Sequence, residues 1–383
     1  MSNHDEFFNE LKEWSARKLA IVQKYLDGFT KILGSFGKGC VYYIDGFAGR
    51  GTYQRGEKGS PVLAAEIAQR FRDEGKPYSL YCINIEKDYN NFVNLNFETS
   101  RFNNLVSNFL GSFTENLGSI LQSIGDCPAF FFLDDFGVSG TEWEAVEKLV
   151  KRKAPTDLWI RFDHQTVRRL DGFFDSSAKS AKLRFSRLHH LYGINNQELL
   201  HQRLDGSTPE IRVRNALYLY LERLEETFNL SHKKGYAAAY PIVSLDEQRK
   251  YHLVFACAHP RAAILASDIV NMAEENFQRE VQEFRERQSR QLTLFSMDPT
   301  QDEIFIDKVQ RLKQAIWQSC RGQVLTRADV HYRMICIGDK VLFGKIRGMH
   351  LTKALESFKE EEPPKISHTG PLSNSATKIT FSQ

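Results

Sequence analysis

Between Gly39 and Tyr53 the chain reads GCVYYIDGFAGRGTY. The β-branched and aromatic run Val41 to Ile44 ends on Asp45 and passes at once into a glycine-rich turn. That is the pattern in which a buried parallel strand hands over to a ligand-binding loop. Gly49 and Gly51 let the backbone come close where a Cβ would collide. Gly59-Ser60-Pro61 then precedes an apolar-periodic run, Val62 to Phe71, with Ser60 suited to the N-cap and Pro61 to the first helical position. The glycines at 46, 49 and 51 do not follow the GxGxxG order of dinucleotide folds, and no GKS or GKT marks a phosphate loop. Strand, turn and helix together predict an α/β sheet whose first crossover frames a binding cleft.

Further strands end on acids in the same way. Ser79 to Glu86 reads as a second strand, and Glu86 at its end is placed to accept hydrogen bonds from ribose hydroxyls. A third strand is predicted at Asn104 to Phe109, followed by Gly111-Ser112-Phe113 and a helix from Glu115 to Ile124. Ala129 to Leu133 (AFFFL) is the continuous apolar run of a central parallel strand, and it ends in Asp134-Asp135-Phe136-Gly137. Two carboxylates at one cleft mouth are costly unless a ligand amine, a cation or solvent compensates them. The alternative is an acidic turn that caps a helix beginning near Thr141. Thr156 to Phe162 gives a fifth strand, leading to Asp163-His164-Gln165, where a histidine beside an aspartate could serve acid-base chemistry, though such a pair in a loop is more often structural. Gly235 to Val243 and Tyr251 to Cys257 read as an antiparallel hairpin.

The flanks are helical. From Asp5 to Leu33, apolar residues including Phe8, Leu11, Trp14, Leu19, Val22, Leu26 and Phe29 recur at helical steps, with Lys18 and Tyr25 able to reach over the cleft and Gly34 and Gly37 expected to end the helix. Lys148 to His190 holds eleven Lys and Arg against four Asp, in a chain whose net charge is only +3. Arg168, Arg169, Lys179, Lys182, Arg184 and Arg187 are therefore candidates for contact with nucleic-acid phosphates, a solvated helix face being the alternative. A long helix, Arg261 to Gln288, is expected to cover the sheet. Beyond it, three helices and a terminal hairpin give the order of a winged helix, with Lys345, Arg347, His350 and Lys353 at the leading end of the third helix. Such modules also serve as protein contacts. The predicted divisions are 1–37 (helical), 38–290 (α/β), 291–303 (linker) and 304–383 (winged-helix-like). The six cysteines show no CxxC and no zinc spacing, so reduced thiols and no metal are expected. With no apolar run of membrane length and no signal-like start, a cytoplasmic, non-membrane protein is expected.

Trp14 with Lys18 and Tyr25, YYIDGFAGRGTY, GSPVLAAEIA, FFFLDDFG and YHLVFACAHPR together resemble the three-Cys-motif partner protein family. That family is similar to class I S-adenosylmethionine-dependent methyltransferases and is named for a genomic partner bearing a three-cysteine, radical-enzyme-like motif. The resemblance implies a Rossmann-like, seven-stranded class I methyltransferase sheet with an N-terminal helix and a C-terminal winged-helix-like domain. It implies S-adenosylmethionine as cofactor. Asp45, Gly46, Phe47, Ala48, Gly49 and Gly51 would hold its methionine part, Glu86 the ribose, and Ser112 with Phe113 the adenine, Ser112 standing where such enzymes place an aspartate. Asp134, Asp135 and Phe136 would face the acceptor. Asp134-Asp135-Phe136-Gly137 departs from the family's Asp-Pro-Phe-Gly and loses its stiffening proline. No Pro-Cys pair follows the fourth strand, so methylation of cytosine C5 through a cysteine nucleophile is not expected. The three cysteines belong to the partner, and no iron-sulfur cluster is expected in this chain. Two functions follow: a methyltransferase acting on nucleic acid, or a non-catalytic protein that presents nucleic acid to a three-cysteine-motif partner.

Overall fold

In the computed structural model, which describes residues 11–36, 39–135, 141–163, 178–231, 234–288 and 301–383, AFFFL forms β4 (Ala129–Leu133), buried at every position. On one side of β4 lies β1 (Cys40–Asp45), then β2 (Ser79–Glu86) and β3 (Val106–Leu110); on the other lies β5 (Thr156–Phe162), then β7 (Arg249–Cys257) and β6 (Tyr236–Val243). The order is β3-β2-β1-β4-β5-β7-β6, with β7 antiparallel to both neighbours and the first five strands parallel. This is the order of the Rossmann-like class I methyltransferase sheet. All five parallel strands therefore point their carboxyl ends to one edge, and Asp45, Glu86 and Asp134 arrive there together.

Period-two alternation divides the core between two faces. Ile44, Phe131, Leu133 and Ile160 pack with α4 (Phe113–Ile124), α5 (Trp143–Val150) and α8 (Pro209–Leu230). Tyr43, Phe130, Trp159 and Phe255 face the other way. There Tyr25 of α1 (Glu13–Phe36) meets Phe130, Trp159 and Phe255 edge-on at 5.2–5.5 Å between ring centroids. Its hydroxyl donates to Asp157 Oδ2 at 2.7 Å, wholly within the core. Tyr25 thus fastens the helix to β5 and does not reach the cleft. Helices α2 (Ser60–Asp73) and α3 (Tyr89–Thr99) supply the crossovers to β2 and β3. Helices α6 (Ala178–Tyr192) and α7 (Gln197–Leu204) precede α8.

Several local expectations are corrected. Helix α1 runs through Gly34 to Phe36, because the glycine is there for space: a Cβ would fall 2.5 Å from Tyr78 Cγ. Gly59, not Ser60, is the N-cap of α2, and the serine hydroxyl instead hydrogen-bonds Asp45. Reduced cysteines were the expectation, but Cys40 and Cys127 form a disulfide. They lie 87 residues apart in sequence yet at the starts of neighbouring strands β1 and β4.

The chain divides into two compact units, Met1–His259 and Pro260–Gln383, so the boundary falls before the long helix rather than at residue 290. Helix α9 (Pro260–Gln288) packs within the second unit: Ser267 Oγ accepts from Gly344 N at 3.0 Å, and the amide of Asn271 donates to Gly344 O at 3.3 Å. The unit continues with α10 (Gln301–Cys320), β8 (Val324–Thr326), α11 (Arg327–Ile335), α12 (Gly348–Lys359), β9 (Ile366–His368) and β10 (Lys378–Phe381). Strand β10 pairs antiparallel with both β8 and β9.

Tyr25→Phe removes the hydroxyl but keeps the ring, leaving Asp157 one donor short in the core. Urea denaturation of this variant should show a stability loss of about 1–3 kcal/mol; an unchanged midpoint would mean that the bond fastens nothing.

Candidate active site

The turn after β1 is set by packing and backbone hydrogen bonds before any ligand arrives. Gly46 N donates to Phe132 O at 3.0 Å, and Ala48 N to Ile85 O at 2.9 Å, so the turn is stitched to both neighbouring strands. A Cβ on Gly46 would fall 2.8 Å from Leu133 Cδ2. Gly49 and Gly51 adopt φ of 64° and 87°, conformations that favour glycine. Glu86 reaches across: its Oε2 accepts from Gly49 N at 2.8 Å and its Oε1 from Asp88 N at 2.6 Å. Burial raises the Glu86 pKa, opposed by those backbone donors.

Asp45 is fully buried. Its Oδ1 accepts from Phe47 N at 3.1 Å and its Oδ2 from the Tyr43 hydroxyl at 3.0 Å, and the Ser60 side chain adds a further bond. Desolvation outweighs these donors and pushes the carboxyl up to about 6. Phe47 is half-buried and lies 6.3 Å from Phe113, ring centroid to centroid.

At the end of β4, Asp134 Oδ2 forms an ion pair with Lys18 of α1, which is 3% exposed. Arg161 of β5 stands 3.9 Å from Oδ1 and lays its guanidinium over the Tyr251 ring at 4.4 Å. Oδ1 itself is buried and accepts no hydrogen bond among the described residues. Burial pulls the Lys18 pKa down, with Asp134 opposing and Arg161 reinforcing the shift. Tyr53, in the loop beyond Gly51, has its phenol pKa raised, first by burial and then by the charge of Asp134. Asp135 is half-buried beside Asp134, and Phe136 lies outside the described residues.

The adenine contacts expected of Ser112 and Phe113 do not fit. Phe113 is 1% exposed and belongs to the core, packed beside Gly46. The Ser112 hydroxyl donates to Glu115 Oε2 at 2.6 Å and accepts from Glu115 N, a capping box for α4.

The basic candidates fare unevenly. Arg187 is exposed on α6; Arg168, Arg169 and His164 lie outside the described residues, as do the side chains of Lys179, Lys182 and Arg184. In the second unit, Lys345 pairs with Glu274 at 3.2 Å and Arg347 with Glu275 at 3.1 Å, both acids on α9. Lys353 is exposed and within 3.5 Å of Glu356. His350 is buried, with burial lowering its pKa to about 4, so it presents nothing to a ligand. Among the described residues no group of three His, Cys, Asp or Glu is arranged to hold a metal ion, and no helix is long and apolar enough to cross a membrane.

Lys18 was visible as a basic residue on an apolar helix, but its bond to Asp134 was not, and Arg161 and Tyr251 gave no signal beyond membership of strands.

No protein-family model matches the chain, and no curated protein matches it in sequence. Solved structures do resemble it. The O-methyltransferase from Bacillus cereus, in complex with S-adenosylhomocysteine, is 15% identical over 62% of this chain and 80% of its own, with a TM-score of 0.33. The O-methyltransferase TomG from Streptomyces achromogenes, involved in tomaymycin synthesis and in complex with S-adenosylmethionine, is 11% identical over 62% and 79%, also at 0.33. At that score no residue role passes from them to this chain, and the fold rests on the strand order given above.

Asp45 carries a pH dependence whose sign is fixed. Its folded pKa of about 6 exceeds the ordinary 3.8, so its ionisation opposes folding. The associated stability is full below about pH 4 and is lost as pH rises through about 6. Between pH 4 and 7, denaturant titrations of the ligand-free protein should show a decline on the order of 2–3 kcal/mol from this group that Asp45→Asn abolishes. Equal slopes in the two proteins would contradict the assignment.

Proposed function

We propose that this chain is an S-adenosylmethionine-dependent methyltransferase, of the three-Cys-motif partner type, whose acceptor is a nucleic acid. The observation that carries the reading is the convergence of Asp45, Glu86 and Asp134 at the carboxyl ends of β1, β2 and β4, around a turn whose backbone is already fixed by Glu86. In open α/β sheets that edge is where ligands bind. Asp45 and Gly46 through Gly51 would border the methionine part of the cofactor, and Glu86, with lone pairs to spare on each oxygen, would take the ribose hydroxyls. The cofactor would supply an electrophilic methyl on a sulfonium. Asp134 Oδ1, buried and without a donor among the described residues, would accept a hydrogen bond from the acceptor and draw off its proton. Because in-line positioning in a site shut off from water supplies much of the rate of such a transfer, few catalytic groups are required.

The positive excess between Lys148 and His190 supports a phosphate-bearing acceptor. In the second unit, the succession of α10, β8, α11 and α12 with the β9–β10 hairpin supports the winged-helix reading. Its leading basic residues are already paired with Glu274 and Glu275, which favours a protein contact over a DNA groove for that unit.

A second reading has one observation in its favour. Tyr89, Val93 and Phe97 form an exposed apolar stripe on α3, at i, i+4 and i+8. Such a stripe suits a non-catalytic protein that docks on another, and the family resemblance names that other as a three-cysteine-motif, radical-enzyme-like protein.

Calorimetric titration with S-adenosylmethionine and S-adenosylhomocysteine tests the first reading. Saturable binding is expected, weakened at least about tenfold by Glu86→Gln through loss of charge-assisted bonds to the ribose. No binding up to millimolar ligand by folded protein would sink it. Where binding holds, transfer of labelled methyl to RNA or DNA that Asp134→Ala abolishes separates the enzyme from the non-catalytic partner.

A further inference from the structure

Lys18 is costly where it stands. Only 3% of its side chain is exposed, and its ammonium lies 5.7 Å from the ring centroid of Phe132 and 5.9 Å from that of Tyr251. A buried ion pair stabilises a fold little better than apolar residues of the same size, because desolvation of two charges offsets their attraction. Helix α1 already has Leu19, Val22, Tyr25, Leu26 and Phe29 buried against the sheet, so a lysine is not needed to fasten it. The partner matters more than the cost. Lys18 occupies Oδ2 of Asp134 and leaves Oδ1 buried without a hydrogen bond among the described residues.

We infer that Lys18 is a positioning residue for methyl transfer: it holds Asp134 by one oxygen so that the other faces the acceptor, and it balances the carboxylate's charge beside the cofactor's sulfonium. This rests on the methyltransferase reading above. An uncompensated carboxylate would attract the sulfonium in the ground state, yet that positive charge leaves sulfur as the methyl moves. Attraction of this kind tightens binding while raising the barrier. An ammonium paired with the carboxylate removes the penalty while keeping an acceptor atom in place for the incoming group's proton. Arg161 Nη1 stands 3.9 Å from that atom, Asp134 Oδ1, beyond hydrogen-bond distance, so the oxygen keeps room for an incoming donor. The field of Lys18 also extends to Asp45 at the end of β1, so it acts at the junction of the cofactor turn and the acceptor side.

S-adenosylmethionine and S-adenosylhomocysteine differ by one methyl and one positive charge, so the ratio of their affinities reads the potential at the reacting sulfur without any acceptor. In the full chain, Lys18→Met should raise the preference for the methionine form by about tenfold, while Lys18→Arg keeps the wild-type ratio within about twofold. Lys18→Gln, likewise uncharged, should shift the ratio in the same direction as Lys18→Met and carries the test if Lys18→Met does not fold. Thermal melts establish that each variant is folded. Ratios that stay at the wild-type value in Lys18→Met, or in Lys18→Gln where that variant carries the test, overturn the inference alone. Failure of the wild type to bind either ligand overturns the cofactor assignment and the inference with it.

Discussion

A carboxylate that cannot reach water organises the carboxyl edge of the sheet at β1. Asp45 ends β1 with no exposed surface, and what surrounds it is arranged to make that tolerable: Tyr43 two residues back on the same face, Phe47 N at the entry of the turn, and Ser60 at the first position of α2. The serine explains why α2 begins with a glycine cap. With its hydroxyl turned to Asp45 it cannot cap its own helix, and Gly59, in extended backbone, donates instead to Gly51 O at 2.7 Å. Strand, turn and helix are thereby tied around one acid. The donors do not fully offset desolvation, which leaves Asp45 with its raised pKa and makes the position a functional-site candidate.

The end of β4 follows a different electrostatic plan. Asp134 is met by Lys18 and Arg161 from two separate elements, so its charge is answered by cations rather than by backbone donors. Within one cleft, then, one acid is stabilised by neutral dipoles and the other by ions. The two respond differently to a ligand: an incoming cation meets competition at Asp134, whereas Asp45 has a fixed shell of hydrogen bonds.

Much of the sheet was legible because burial on both faces leaves a mark in composition. AFFFL carries no polar residue and TDLWIRF an apolar centre at Leu158 to Ile160, and they appear as β4 and β5 with the predicted bounds. Acids at strand ends were legible for the same reason, standing out against apolar runs at 45, 86 and 134. Beyond those positions the sequence was a weaker guide. Phe113 follows a strand and a glycine as a stacking residue would, but whether an aromatic ring meets ligand or core depends on the neighbouring strand, here Leu133. Gly34 reads as a terminator until Tyr78 is seen lying over it. The partner of Lys18 is 116 residues away, and no periodicity reveals which strand a helix will cross. In the second unit the run of basic residues was plain, but not the acids of α9 that neutralise two of them.

The Cys40–Cys127 bond has a consequence for connectivity. It joins the entry of β1 to the entry of β4, at the edge of the sheet away from Asp45 and Asp134. The intervening chain holds β1, β2, β3 and helices α2, α3 and α4, which is to say the whole half that would receive the adenosine and methionine moieties. With the bond in place, that half is a covalent ring. A protease cutting the exposed tip at Gln54, Arg55 and Gly56 would open the ring without releasing a fragment, and the turn bearing Gly49 would stay attached to the strand bearing Glu86. The ring leaves α1 outside it. Lys18, the one buried lysine among the described residues, thus belongs to a segment joined to that ring by a single stretch of backbone.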